Sequence, residues 1–279
     1  MEVIKNSKAD TIIKAMMQDG ASQLHLLADF DKTLTKAYTD GKDTGSLISI
    51  LRNGNYLSQQ YTKAAQEYYA HYSVIERSLD LPLEEKTSAM QEWREKHLQL
   101  FVDEGLQKKH IYQAMQSDIV TFREGYQKFF DQLSSYGIPL VILSAGGLGI
   151  LSIQKFFENH HLLSENIHIV GNDFIRNDAG VAIGFKEPII HSLNKSETVM
   201  KIFPFYEEIV ERKNVILLGD NLGDVQMIEG FSYQNLLKIG FLNKDIEQQQ
   251  MAYMDAYDIV IFGDGDLSKV NEILSQIVS

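Results

Sequence analysis

Apolar positions fall into two textures along this chain. Thr11 to Gln18 carries apolar residues at helical spacing, and "LHLLADF" (24–30) follows as a short, almost wholly apolar run that predicts a buried strand. From about Gly41 to Asp118 the pattern is long and polar on one side, so 56–78 and 83–116 read as helices. Pro82 is the break between them, and Glu84 and Glu85 open the second where negative charge suits the helix dipole. After Phe122 the texture changes to alternation. "REGYQKFFDQLSSYG" predicts a helix ended by Gly137, "IPLVILSAGG" a strand entering a glycine-rich turn, and "GILSIQKFFENHHLL" a helix. "NIHIVGNDFI" predicts a strand, "RNDAGVAIGF" a hairpin turning at Asn177 to Gly180, and "SETVMKIFPFYEEIVER" a helix opened by Ser196. "NVILLGDN" predicts a further buried strand, with shorter strands in "LLKIGFL" and "YDIVIFG".

Strands alternating with helices imply an α/β fold with a doubly wound, mostly parallel sheet. The helical block is then an insertion after the first strand. The expected division is a core of residues 1–38 and 120–279 with an inserted all-helical cap at 39–119. Ligands of such sheets bind outside the carboxyl ends of the strands, so those ends decide the chemistry.

Three strand ends carry polar residues. The first ends in Asp29, Asp31 and Thr33, the "PLVIL" strand in Ser144, Ala145 and Gly146, and the "VILLG" strand in Asp220, with Asp224 four residues on. "HSLNKSE" supplies Lys195. Aspartates after strands mostly serve turns and helix N-caps, and Asp224 could simply cap the helix after it. Residues two apart on a strand share a face, however, so Asp29 and Asp31 can both address the crevice while Phe30 packs the other way. Carboxylates crowded with Asp220 suit a hard cation such as Mg²⁺. Ser144, the backbone N–H groups of "SAGG" and Lys195 offer the opposite charge, as donors for phosphate. Asp29 suits a nucleophile toward phosphorus, and Asp31 a group that protonates the leaving oxygen and then deprotonates water.

"DFDKTLT", "SAG", Lys195 and "GDNLGD" resemble the four motifs of the haloacid-dehalogenase-like phosphohydrolases. With "EGYQKFFDQL", "IPLVILSAG", "GFKEPIIHSLNK", "ILLGDNLGD", "LKIGFLN" and "YMDAYDIV", the chain resembles the cytosolic 5′-nucleotidase III, or pyrimidine 5′-nucleotidase, family from about Leu24 to its C-terminus. The resemblance implies Asp29 as nucleophile and Asp31 as acid/base, the latter also lending its backbone carbonyl to Mg²⁺. It implies Asp220 as a metal carboxylate, Asp224 as an acidic neighbour behind it, Ser144 and Ala145 as the phosphate-binding pair, and Lys195 as the lysine that neutralises phosphate. The helical block matches the family's cap, and Glu76 its base-contacting glutamate. A cap serine of the family falls on or beside His97, a departure that bears on base preference. The implied reaction is Mg²⁺-dependent hydrolysis of nucleoside 5′-monophosphates, with CMP and UMP preferred.

Composition narrows the partners. Formal net charge is −12, from 26 Lys and Arg against 38 Asp and Glu, which disfavours a nucleic-acid polymer or an anionic membrane surface. A small phosphorylated ligand remains compatible, because local donors and metal hold it. There are no cysteines, which removes thiolate catalysis and Cys-based zinc sites. No run approaches the roughly 20 apolar residues of a membrane span, and no signal-peptide core opens the chain, so a cytoplasmic location is expected. No residue pattern names a protein partner. Two other functions compete: a phosphatase of the same fold for phosphoserine or a sugar phosphate, and a receiver-like phospho-aspartate module. Receivers are far shorter and lack an acid/base two residues beyond the acceptor. His160, His161 and the "GDGD" of Gly263 to Asp266 read as helix-end and turn residues, and Trp93, Tyr68, Tyr69 and Tyr72 mostly as apolar packing of the helical block.

Overall fold

The structure, a computed structural model, describes residues 2–78, 80–196, 201, 203–230 and 232–279. Its centre is a seven-stranded sheet in the order β1 (Val3–Lys5), β11 (Ile259–Phe262), β10 (Asn235–Leu242), β9 (Asn214–Gly219), β2 (Leu24–Ala28), β5 (Leu140–Ser144), β6 (Ile167–Gly171). All neighbours are parallel except β1, which runs antiparallel to β11 with Val3 opposite Ile261. β2, β5 and β9 are buried along their whole length, as continuous apolar runs covered on both faces should be. The alternation of side chains splits the core into two layers. Leu24, Leu26, Ile142 and Leu218 belong to one cluster; Leu27, Val141, Leu143 and Leu217 belong to the other.

Helices cover both layers. α1 (Ala9–Asp19) packs on β10 and on α10 (Ser268–Ile277), which in turn meets α6 (Tyr126–Ser135). α7 (Ile150–Asn159) follows β5, and α9 (Ile246–Ala256) follows β10. The chain moves outward from β2 to β5 to β6, then returns to place β9 on the other side of β2. That reversal opens a crevice between the carboxyl ends of β2 and β9.

Between β2 and α6 lies a small hairpin, β3 (Tyr38–Thr39) with β4 (Lys42–Asp43), then α2 (Leu47–Asn53), α3 (Gln59–Arg77), α4 (Leu83–Asp103) and α5 (Lys108–Ala114). The single helix expected over 83–116 is in fact two. Gly105 at φ +65° ends α4, and Leu106 N–H reaches back to Phe101 O at 2.9 Å. Leu106 is fully buried and its carbonyl accepts from Ala182 N–H at 2.8 Å, which ties this break to β8 (Ala182–Phe185). The strand expected over 166–175 also divides. β6 stays in the sheet, while β7 (Phe174–Arg176) leaves it to form the hairpin with β8, turning at Asn177 to Gly180. The helix expected over 196–212 appears as α8 (Tyr206–Val210), and residues 197–200 and 202 of that expectation lie outside the described residues. No helix among the described residues is long and apolar enough to cross a membrane.

Candidate active site

Asp29 leaves β2 still bonded into the sheet, its N–H donating to Leu218 O of β9 at 3.1 Å. Phe30 then points into the core, edge-on to Phe156 at 5.6 Å between ring centroids. Asp29 and Asp31 are thereby left facing the crevice. The turn that follows is closed by Thr35, whose hydroxyl accepts from Lys32 N–H at 2.8 Å. The neighbouring Thr33 hydroxyl, by contrast, is buried with no hydrogen-bond partner among the described residues. Asp31 Oδ1 accepts from Leu47 N–H at 3.1 Å, at the first turn of α2.

β9 delivers Asp220 beside them, and one ligand oxygen from each of Asp29, Asp220 and Asp224 lies within 4.8 Å of the others. Burial lifts the Asp220 carboxyl well above its ordinary range, and Asp29 and Asp224 lift it further. Burial and Asp224 likewise raise Asp29, against the opposing pull of Lys195. Burial also raises Asp31, with the Leu47 N–H pulling the other way. Lys195, 3% exposed, is in ion contact with Asp29 Oδ1 and donates to Asp224 Oδ1 at 3.0 Å. Burial works against its charge, but Asp224 and Asp29 outweigh it and hold the ammonium protonated. Among the described residues Lys195 is the one cation in ion-pair contact with these acidic groups, which leaves negative charge in excess, and the donors are hard oxygens. That set fits a divalent cation of the Mg²⁺ kind.

The two aspartates that follow β9 have different surroundings. Both oxygens of Asp224 are engaged, Oδ1 by Lys195 and Oδ2 by the N–H groups of Asp220 and Asn221 at 3.1 and 3.0 Å. Asp224 therefore closes the short 3₁₀ turn Leu222–Ile228 while steadying the lysine. Among the described residues Asp220 has only a distant side-chain partner, Asn243 Nδ2 at 3.5 Å, and it keeps its carboxylate open to the crevice.

Beside the carboxylates, β5 ends in Ser144 and Ala145. Ser144 Oγ accepts from Gly146 N–H at 3.0 Å, and Asn172 ties the turn to the Ile190 segment through bonds of 2.9 Å in each direction. That segment leads into Lys195. No pattern in the sequence marks a further scaffold. Arg123, fully buried, donates to the carbonyls of Lys32, Thr33 and Gly265, to Asn243 Oδ1 at 2.8 Å, and to Asp264 Oδ1 at 3.0 Å. It fastens the Asp29–Asp31 turn to the ends of β10 and β11. Asp264 of "GDGD" is thus part of this brace, and also accepts from Ala37 and Tyr38 N–H.

Above this floor is a cavity of about 300 Å³. Asp29, Asp31, Ser144, Ala145, Lys195, Asp220 and Asp224 line it from the sheet, and Arg52, Tyr69, Glu76, Trp93, Arg94 and His97 from the helices. Glu76 is therefore brought to the site, where its carboxylate accepts from Ser192 Oγ at 2.6 Å. Trp93 stacks on Tyr72 at 5.7 Å and leans on Tyr69, whose ring carries Arg52 at 3.9 Å. His97 is 2% exposed, bonds Tyr61 Oη through Nε2 at 3.3 Å and stacks on Phe101. Burial pushes its pKa down to about 3, so it is neutral and belongs mainly to the packing between α3 and α4.

Comparison with known proteins finds relatives over almost the whole chain. The family described as pyrimidine 5′-nucleotidase (UMPH-1) matches residues 32–278. A 7-methylguanosine phosphate-specific 5′-nucleotidase of Gallus gallus is 35% identical over 96% of this chain and 92% of its own length. The crystal structure of cytosolic 5′-nucleotidase IIIB bound to cytidine superposes with a TM-score of 0.86 at 28% identity, covering 99% of this chain and 93% of that one. A substrate-bound phosphoserine phosphatase, 20% identical with a TM-score of 0.52 over 91% of this chain and 97% of its own, shares the haloacid-dehalogenase-like fold alone.

Proposed function

The chain belongs to the pyrimidine 5′-nucleotidase family and is a phosphatase of the 5′-nucleotidase kind, and from that premise we propose that it hydrolyses nucleoside 5′-monophosphates, pyrimidine ones preferred, through an aspartyl-phosphate. The observation that carries the proposal is the floor of the cavity: Asp29, Asp220 and Asp224 gathered within 4.8 Å, with Lys195 between two of them. Residues 39–119 act as the cap over a core of 1–38 and 120–279.

In this reading Ser144 Oγ, the Ala145 N–H and Lys195 Nζ hold the phosphate. The Asp29 carboxylate attacks phosphorus as the bond to the 5′ oxygen breaks, and Asp31 delivers its proton to that oxygen. The raised pKa of Asp31 favours the protonated form this step needs. Asp31 then takes a proton from water as the water oxygen attacks phosphorus, and the bond to Asp29 breaks to release orthophosphate. Asp29, Asp220 and the Asp31 carbonyl would hold Mg²⁺, whose contribution is to neutralise charge on the phosphate oxygens. Asp224 supports Lys195 and the Asp220 turn.

Base preference falls to the helices. Glu76 offers an acceptor for an exocyclic amino group such as that of cytosine. Three guanidinium groups, Arg52, Arg77 and Arg94, line the same wall, and their charge disfavours a cationic base such as 7-methylguanine. A cavity near the lower end of the ordinary range for ligand sites also favours the smaller bases. The Tyr69 and Trp93 rings and the chicken relative's name favour the second reading, 7-methylguanosine monophosphate. With no membrane-spanning helix among the described residues, and with a cytosolic 5′-nucleotidase as structural relative, we place the enzyme in the cytoplasm.

The test is phosphate release from CMP, UMP, GMP, 7-methylguanosine monophosphate, phosphoserine and a hexose phosphate, with and without Mg²⁺. Expected are Mg²⁺-dependent hydrolysis of the nucleotides and a higher kcat/KM for CMP and UMP. Turnover of phosphoserine or the sugar phosphate above every nucleotide would overturn the substrate class. Full activity after thorough chelation would overturn the metal.

A further inference from the structure

Arg94 is the one cavity-lining arginine on α4, and nothing in the reaction described above uses it. Its Nε is buried with no hydrogen-bond partner, and the side chain makes no hydrogen bond or ion pair among the described residues. Leaving a guanidinium so placed is costly unless a ligand completes it. Two carboxylates face it across the cavity without reaching ion-pair distance, Glu76 from α3 and Asp31 from the end of β2. The Trp93 ring lies 5.7 Å from its central carbon.

From α4 its guanidinium packs against the turn that follows β5. A methyl group on Gly147 would lie 2.5 Å from Arg94 Nη1 and 2.8 Å from Ile48 Cδ1. A methyl group on the preceding Gly146 would lie 3.1 Å from Ser144 Oγ and 3.7 Å from Asp31 Oδ2. Gly146 thus backs the Ser144 hydroxyl and the Asp31 carboxylate, and Gly147 backs the guanidinium of Arg94. Both glycines leave room that any side chain would fill. One short turn therefore carries the phosphate donors of the sheet on one residue and a cation from the helices on the next.

We propose that Arg94 is a further substrate-binding residue, which donates from the helical cap to a phosphate oxygen of the ligand held at Ser144 and Lys195. This inference rests on the phosphatase reading and deepens it. The phosphate is then gripped from both sides, by Ser144 and Lys195 of the core and by Arg94 of the cap. A planar fork of donors matches the tetrahedral oxygens of phosphate, and the fork of Arg94 is the one packed against the Gly147 turn. Because the contact is with phosphate and not with the base, it acts alike on every phosphomonoester.

The experiment measures binding of inorganic phosphate, in the presence of Mg²⁺, to the wild type, Arg94→Ala and Arg94→Lys. Calorimetry gives the affinity, and competitive inhibition of p-nitrophenyl phosphate hydrolysis checks it. Arg94→Ala is expected to weaken phosphate about tenfold or more, the scale of a lost charge-assisted hydrogen bond. It is expected to lower kcat/KM for p-nitrophenyl phosphate and for CMP by the same factor. Arg94→Lys keeps the charge without the fork and is expected to recover part of both. Circular dichroism and thermal melting identify loss of folded protein, and Arg94→Lys carries the test should the alanine variant unfold. Wild-type phosphate affinity in a folded Arg94→Ala variant would overturn the proposal, as would a loss confined to CMP, which would make Arg94 a reader of sugar or base. A wild-type protein that neither binds phosphate nor hydrolyses any phosphomonoester would remove the phosphatase reading as well, so the two failures are distinct.

Discussion

At the position of Asp29, burial, two neighbouring carboxylates and one lysine act on a single side chain. The first two disfavour its charge and only Lys195 favours it. Asp29→Asn is accordingly expected to abolish nucleotide hydrolysis while leaving the metal-free protein at least as heat-stable as the wild type. Thermal melting in EDTA and phosphate release read the two effects, and near-wild-type turnover would sink the proposed nucleophile. Carboxylates of this kind are legible from sequence, because acidic residues at the ends of apolar runs are costly and conspicuous. Arg94 and Arg123 are not, since an arginine on a helix face or in a loop looks the same whether it is solvated or buried. A buried histidine is equally silent in sequence. His97 stays neutral in the fold down to about pH 3, whereas an exposed imidazole protonates near 6.5. Between those limits the unfolded chain binds the extra proton, so stability falls as pH drops, by up to about 1.4 kcal/mol per pH unit for this one group. Urea denaturation at pH 7 and pH 5 should show that decline, and a His97→Gln variant should show a shallower one.

Elements were easiest to read where one periodicity ran unbroken. β2, β5 and β9 are legible because a strand covered on both faces is apolar throughout. The three-residue β1 and two-residue β3 and β4 carry too few positions to set a period, and their pairing depends on β11 and on each other. The break between α4 and α5 lies in a sequence whose helical pattern continues; Gly105 and the fully buried Leu106 decide it through contact with β8. Glycine matters differently at the end of β9. A methyl group on Gly219 would lie 2.6 Å from Asp224 Cβ and 2.8 Å from the Tyr257 hydroxyl. Gly219→Ala is therefore expected to cost about 1–3 kcal/mol by overpacking. It should also lower turnover of p-nitrophenyl phosphate, because Asp224 cannot shift without moving Lys195. Gly180→Ala in the β7–β8 turn provides the contrast: φ is +75° and nothing lies within 4 Å, so about 1–2 kcal/mol of backbone strain should leave turnover unchanged. Urea denaturation and the same assay separate the two, and equal turnover in both variants would show that the Asp220–Asp224 turn tolerates displacement.

The whole molecule sets a strongly acidic chain, of net charge −12, around a cavity whose helical wall carries three arginines. Attraction of an anionic nucleotide is then a local matter, because solvent screens the wider field beyond roughly 8 Å. The helices also touch the core through Glu76, whose carboxylate accepts from Ser192 Oγ at 2.6 Å. The family resemblance implies Glu76 at the ligand, whereas its bond to Ser192, 116 residues away along the chain, comes only with the fold. Glu76 can therefore matter in two ways, as a reader of the base and as a strap between helices and sheet. If it reads the base, Glu76→Ala should lower kcat/KM for CMP by about 10- to 150-fold, the worth of a charge-assisted hydrogen bond at 1.4 kcal/mol per decade. Hydrolysis of p-nitrophenyl phosphate, which has no base, should change far less. Ser192→Ala removes the strap while leaving the carboxylate in place, and should affect both substrates alike and only slightly. The ratio of the two losses within each variant cancels any difference in folded enzyme. Equal losses on both substrates in Glu76→Ala, matched by Ser192→Ala, would assign Glu76 to the strap and leave the base to be read by the Tyr69 and Trp93 rings.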